Sequence, residues 1–188
     1  AVETMKLHTL GPTGTDSQRA AMHFITTQKI VLHDSFEEIF LHLDDYVGDQ
    51  LIVPVAFKSN RLPELNWADI NYSEWQRLAI VTTFALPLLT LSLVENTKFK
   101  RNVAIIHAAT EGLLLRYLRE QGLDNAWGPS VVFSPSKPVA LAGFINDQNR
   151  FTIVSEEQFL KLPESEDPKY QVRQSLQPQM VWVVYQIK

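Results

Sequence analysis

The chain has 188 residues, 45% of them apolar and 20% charged, with a formal net charge of −4 and no cysteine. That size and balance suit one compact domain or two small lobes with a real core, and they argue against disorder along most of the length. They also exclude several classes. The charge balance is acidic, and its only basic run, Lys98, Lys100 and Arg101, is a short solvated turn. Binding to nucleic acid phosphates is therefore not expected. Without cysteine there is no disulfide scaffold, thiolate nucleophile or Cys-based metal site. The longest apolar run, Ile80 to Leu93, is interrupted by Thr82, Thr83, Pro87, Thr90 and Ser92. It falls short of the roughly 18 apolar residues a membrane span needs. No signal-peptide pattern opens the sequence, so the expected compartment is the cytoplasm.

In chain order, Lys6–Leu10 predicts a short strand running into a Gly-Pro turn. Thr15–Thr27 predicts a helix with Ala20, Ala21, Phe24 and Ile25 on one face. Ile30–Leu32 predicts a second strand. Asp34 or Ser35 can cap the next helix, with Glu37 and Glu38 in its first turn and Phe36, Ile39, Phe40 and Leu43 inward. Leu51–Phe57 is a continuous apolar run of the kind parallel sheets bury. Lys58–Tyr72 reads as an irregular loop with room for one helical turn. Leu78–Val94 reads as two strands broken near Pro87, a pair suited to a hinge.

The second half repeats the rhythm. Val103–Ile106 predicts a strand, and Thr110 is placed to cap a helix to Gln121 that stops at Gly122. Ser130–Phe133 predicts a strand and Ser136–Phe144 a helix, with Pro138 in its first turn. Phe151–Val154 predicts a strand and Glu156–Leu162 a short helix. Pro163–Gln179 is polar with three prolines and reads as a surface loop; Met180–Ile187 predicts a closing strand.

Two runs of strand, helix, strand, helix, strand predict an α/β chain of two Rossmann-like lobes around a central cleft. Lobe one is expected over about 1–85 plus the strand 179–188, and lobe two over about 90–165. Ligands in such folds sit beyond the carboxyl ends of the strands. That singles out three strand-to-helix junctions: Gly11–Ser17, His107–Thr110 and Ser134–Lys137.

The first junction reads Thr9-Leu10-Gly11-Pro12-Thr13-Gly14-Thr15-Asp16-Ser17. Its glycines permit unusual backbone angles and close ligand approach. Its hydroxyls and helix amides suit an anion. This stretch resembles the Gly-Pro-x-Gly-Thr-x-Ser turn that opens prephenate dehydratases. His33-Asp34-Ser35-Phe36-Glu37, Leu51-Ile52-Val53-Pro54 and Ile105-Ile106-His107 line up with later parts of that family in order. The resemblance spans most of the chain and is densest before Phe57. Two departures stand out. The third strand leads into Val55-Ala56-Phe57-Lys58 rather than Ile-Glu-Asn-Ser. The last strand, Met180-Val181-Trp182-Val183-Val184, lacks the Thr-Arg-Phe tied to loss of the ring hydroxyl. Asn149-Arg150-Phe151 mimics that motif at another place and is read as accidental.

The same gaps occur in the prephenate decarboxylases of bacilysin and related antibiotic or peptide pathways. The chain resembles these more closely, down to the Ser136-Lys137 pair. The resemblance implies a type II periplasmic-binding-protein-like fold. It implies non-aromatising decarboxylation of prephenate and a homodimer as the assembly to test for. A prephenate dehydratase with an altered acid and a non-catalytic carboxylate-binding protein are the alternatives.

Prephenate carries two carboxylates and a ring hydroxyl. Decarboxylation that spares the hydroxyl needs anion binding, a desolvated pocket, a proton for a ring carbon, and no acid at the hydroxyl. Thr13, Gly14, Thr15 and Ser17 are the candidates for one carboxylate, and Thr110, Ser134, Ser136 and Lys137 for the other. His107 is the candidate for proton transfer, since imidazole ordinarily titrates near neutral pH. His8 and His33 border strands without metal-ligand spacing, so no metal is expected. No Gly-x-Gly-x-x-Gly follows a strand and there is no P-loop, so no cofactor is expected either.

Overall fold

The computed structural model describes residues 3–25, 27–59, 61–62 and 65–188. Its first elements are β1 (Lys6–Leu10), α1 (Asp16–Phe24), β2 (Lys29–His33), α2 (Phe36–Leu41), β3 (Gln50–Pro54), α3 (Trp67–Ser73) and β4 (Leu78–Pro87). There follow β5 (Leu91–Asn96), β6 (Arg101–His107), α4 (Glu111–Glu120), β7 (Ser130–Ser134) and α5 (Lys137–Asn146). The chain closes with β8 (Asn149–Ser155), α6 (Glu156–Leu160), β9 (Tyr170–Leu176) and β10 (Gln179–Ile187). It divides into two compact units: Ala1–Pro87 with Gln179–Lys188, and Leu88–Pro178.

The first unit is a five-stranded sheet in the order β2-β1-β3-β10-β4. β1 pairs in parallel with β2 and β3, and β10 runs antiparallel between β3 and β4. Ser35 caps α2 by accepting from the Glu38 amide, and Glu37 and Glu38 favour that helix start. On one face Phe36, Ile39 and Leu43 pack with Leu10, Leu51, Val53 and Tyr185. α1 packs on β1, β3 and β2, burying the small side chains of Ala20 and Ala21 completely.

The second unit is a five-stranded sheet in the order β7-β6-β8-β5-β9. β6 pairs in parallel with β7 and β8, while β5 is antiparallel to β8 and β9. Ala140, Leu141 and Phe144 of α5 bury against Val94, Val154, Phe159 and Tyr170. Gly122, at φ +66°, ends α4: its own amide and that of Leu123 bond back to Arg119 and Leu118.

Four expectations change. The apolar run Leu51–Phe57 is strand only to Pro54; the chain then turns, with the Phe57 amide on the Pro54 carbonyl at 3.0 Å. The 58–72 segment is not all loop, because Asn66 caps the seven-residue α3 and Ile70 anchors it in the core. Asn60, Pro63 and Glu64 of that segment lie outside the described residues, as does Thr26 in the predicted first helix. The 163–179 stretch is not a loop either, since β9 adds to the edge of the second sheet beside β5. Its three prolines bracket the strand rather than interrupt it. Lobe two therefore runs past residue 165, to Pro178.

Candidate functional site

In the first unit the parallel strands β1 and β2 end together, with Leu10 opposite His33. The Gly11 amide donates to the His33 carbonyl at 2.7 Å. A Cβ on Gly11 would lie 3.1 Å from Leu32 Cβ, so this close approach favours glycine. Gly14 has φ +92°, in the region that only glycine enters freely. Thr13 and Gly14 are exposed, whereas Ser17 is buried.

Thr15 is the N-cap of α1: its hydroxyl accepts from the Gln18 amide and donates to the Leu10 carbonyl. The Gln18 side chain reaches back to the Gly14 amide at 2.7 Å, a variant of the capping box. Two groups read from the sequence as anion holders are thus already bonded inside the turn. A carboxylate would take the Gly14 amide by displacing a neutral amide oxygen.

Directly beneath lies a cluster whose full membership sequence reasoning missed. His8, 2% exposed, bonds through Nδ1 to His33 Nε2 at 2.8 Å and through Nε2 to Asp49 Oδ2 at 2.9 Å. The other oxygen of Asp49 accepts from the Lys6 amide at 3.0 Å. Tyr46 stacks on His8 with ring centroids 4.2 Å apart. Burial, followed by the neighbouring His8, lowers the His33 pKa. His8 and His33 were visible as strand-bordering histidines. Asp49 and Tyr46 were not, because only the pairing of β1 with β3 brings the start of β3 alongside.

In the second unit the unit's own candidates come together at the carboxyl ends of β6 and β7, where His107 pairs with Ser134. Ser134 donates to the Ser136 carbonyl at 3.0 Å, and Ser136 caps α5 by accepting from the Val139 amide. Thr110 occupies the N-cap position of α4, but its hydroxyl makes no cap bond there. Its hydroxyl donates to the His107 carbonyl at 2.8 Å, because a 3-10 turn over Ala108–Thr110 precedes the helix. His107 caps that turn instead, Nδ1 accepting from the Ala109 amide at 3.2 Å.

An accepting Nδ1 leaves the ring proton on Nε2. Burial, then the Lys137 ammonium, push the His107 pKa down to about 3. His107 is therefore neutral at physiological pH rather than poised near neutrality. It offers an Nε2–H hydrogen bond, not an imidazolium proton.

Arg150 of the Asn149-Arg150-Phe151 stretch is committed elsewhere. It pairs with Glu95 at 3.0 Å and lies over the rings of Phe99 and Phe151. Among the described residues, no group of three or more His, Asp or Glu is arranged to hold a metal ion. No helix among them is long and apolar enough to cross a membrane.

No protein-family model matches the chain, and no curated protein does. Solved structures do match. Prephenate dehydratase from Arthrobacter aurescens, in complex with L-Phe, aligns over 98% of this chain at 15% identity and TM-score 0.57. This chain spans 61% of that protein's length. The periplasmic VFT2 domain of Bordetella pertussis BvgS aligns over 98% of this chain and 80% of its own, at 12% identity and TM-score 0.56. A periplasmic His/Glu/Gln/Arg/opine family-binding protein from Silicibacter pomeroyi, in complex with lysine, aligns over 98% and 83%, at 10% identity and TM-score 0.53. Together with the two five-stranded sheets, these likenesses define the fold class. It is the two-lobed α/β fold of the type II periplasmic-binding-protein-like kind, which prephenate dehydratase shares.

Proposed function

We propose that the chain is a cytoplasmic carboxy-lyase that decarboxylates prephenate without aromatising it, in specialised antibiotic or peptide biosynthesis. One observation carries this reading: His107 sits beside Lys137 and three hydroxyl side chains, yet is held neutral. A neutral imidazole next to a cation can hydrogen-bond an anionic substrate but cannot protonate its ring hydroxyl. Sparing that hydroxyl is what separates a non-aromatising decarboxylase from a dehydratase. In this reading Thr13, Gly14 and Ser17 are the carboxylate-binding candidates of the first unit, with Thr15 shaping their turn. Thr110, Ser134, Ser136 and Lys137 are the carboxylate-binding candidates of the second. A homodimer is the proposed assembly.

A second reading, a non-catalytic binder of small carboxylates, draws on a different observation. The Gly14 amide and Thr15 hydroxyl are satisfied internally, as in a turn built to hold its shape. The Silicibacter pomeroyi relative, described in complex with lysine, has the same fold.

One experiment separates the readings. The purified chain is incubated with prephenate while ultraviolet absorbance and proton NMR are followed. A non-aromatic dihydro-4-hydroxyphenylpyruvate is the expected product. Phenylpyruvate would make the chain a dehydratase, and binding without turnover would make it a carboxylate-binding protein.

A further inference from the structure

The Asp49–His8–His33 array has a direction. With Asp49 as a carboxylate and a single proton on His8, Asp49 accepts from His8 Nε2 and His8 Nδ1 accepts from His33 Nε2. In that arrangement Nδ1 of His33 is the open end of the chain of bonds. A buried imidazole, a half-buried one and a largely covered carboxylate against the Tyr46 ring cost more to desolvate than apolar side chains of like size. Such groups cluster where protons are moved. His33 is the last residue of β2, half-buried, and its carbonyl holds the Gly11 amide at the base of the Gly11–Ser17 turn.

We propose that Asp49, His8 and His33 form a hydrogen-bonded relay in which His33 alone gives up a proton, as the acid that protonates the substrate carbon, with His8 and Asp49 as positioning residues. This rests on the decarboxylase reading. The neutral His107 of the second unit offers no such proton. In the step, the bond from ring carbon to carboxylate breaks and carbon dioxide leaves. The electron pair remains delocalised over the organic fragment. The Nδ1–H bond of His33 imidazolium breaks as the new C–H bond forms. Neutral His33 then recovers a proton from water. Throughout, His33 keeps its Nε2–H on His8, and His8 keeps its own on Asp49, so the positive charge is steadied through two hydrogen bonds.

Other charges also face this imidazole. Asp34 and Glu38, at the start of α2, favour its protonation, while His8 and His42 oppose it. Tyr46 stacks on the array with Glu38 and Asp45 near its hydroxyl, which burial and those carboxylates keep protonated above the usual tyrosine range. The net effect is a His33 pKa below the ordinary value. The acid form is thus scarcer at neutral pH but a stronger donor, and it gains population as pH falls.

The test joins prephenate kinetics across pH with nitrogen-15 NMR of the imidazoles. In the active wild type, kcat should fall as pH rises through the His33 pKa read by NMR. His33→Gln should lose about 100-fold in kcat with little change in KM, and should lose that limb of the profile. Asp49→Asn should move the limb, and the His33 titration, to lower pH by about half a unit or more. An active wild type with an unchanged His33→Gln profile would overturn the relay and leave the decarboxylase reading standing. An inactive wild type would remove that reading, and the relay would then be decided without substrate. The NMR spectra should show protons on Nε2 of both His8 and His33, and a His33 titration that moves in Asp49→Asn. A different tautomer, or an unmoved titration, sinks it whether or not the variants fold as stably as the wild type.

Discussion

At the scale of single residues, two histidines of similar sequence setting are both held below the ordinary imidazole value, but among different neighbours. Both end a strand before a helical turn, and imidazole alone would titrate near neutrality in each. The environment separates them. His107 is enclosed and faces Lys137, while Asp34 and Glu38 offset the burial of His33. The folded pKa of His107, about 3, lies far below the value of about 6.5 that an unfolded chain shows. The unfolded state therefore takes up this proton first. The stability that neutral His107 represents is complete above about pH 6.5 and is lost as pH falls towards 3. By pH 5 the loss should approach about 2 kcal/mol. Urea midpoints at about pH 7.5 and about pH 5 should fall further apart in the wild type than in His107→Gln, whose amide can still accept from Ala109. Equal slopes in the two proteins would show that His107 titrates normally. Residue type and junction position made His107, Ser134, Ser136 and Lys137 legible as one group. Their protonation was not legible, because burial and the approach of Lys137 arise only when β6 and β7 pair.

At the scale of elements, two capped helix starts were easier to read than the edge strand β9. Ser35 with Glu37 and Glu38, and Ser136 with Pro138, carry their start signals in adjacent residues. β9 carries no such signal. Its sequence, YQVRQSL, is polar because it lies at the edge of the second sheet, and its alternation is weak. What secures it is tertiary. Arg173 on β9 reaches Glu95 on β5 at 2.8 Å, and Arg150 on β8 meets the same carboxylate at 3.0 Å. One acid thus ties three neighbouring strands, and at 9% exposure it is poorly screened. Glu95→Ala would leave two guanidinium groups around a cavity, with Arg150 largely buried. It should destabilise the second unit by about 3 kcal/mol. Amide hydrogen exchange should show β9 losing protection before β6. A variant whose β9 stays as protected as the wild type's would mean that backbone pairing alone holds the edge.

At the scale of the whole molecule, the two units differ in how the chain builds them. The second, Leu88–Pro178, is continuous in sequence. The first is not: its sheet needs β10, which arrives only after the second unit is complete. β10 is no ornament at an edge. It lies between β3 and β4, and Val183, Val184 and Tyr185 are essentially fully buried in the middle of the sheet. Removing it would expose the bonding edges of β3 and β4 and strip the core of its largest fully buried side chain, Tyr185. The strand 179–188 is expected from the sequence to belong with lobe one. Which strands it would part was not readable, because register depends on cores that both halves of the first unit supply. A fragment spanning 88–178 should therefore fold alone, with dispersed amide resonances and a cooperative thermal transition. A fragment spanning 1–178 should show only that same transition, its first unit lacking fixed structure by hydrogen exchange. If 88–178 were unfolded while 1–178 kept a protected β1 and β3, the dependence would run the other way, and the second unit would owe its fold to the first.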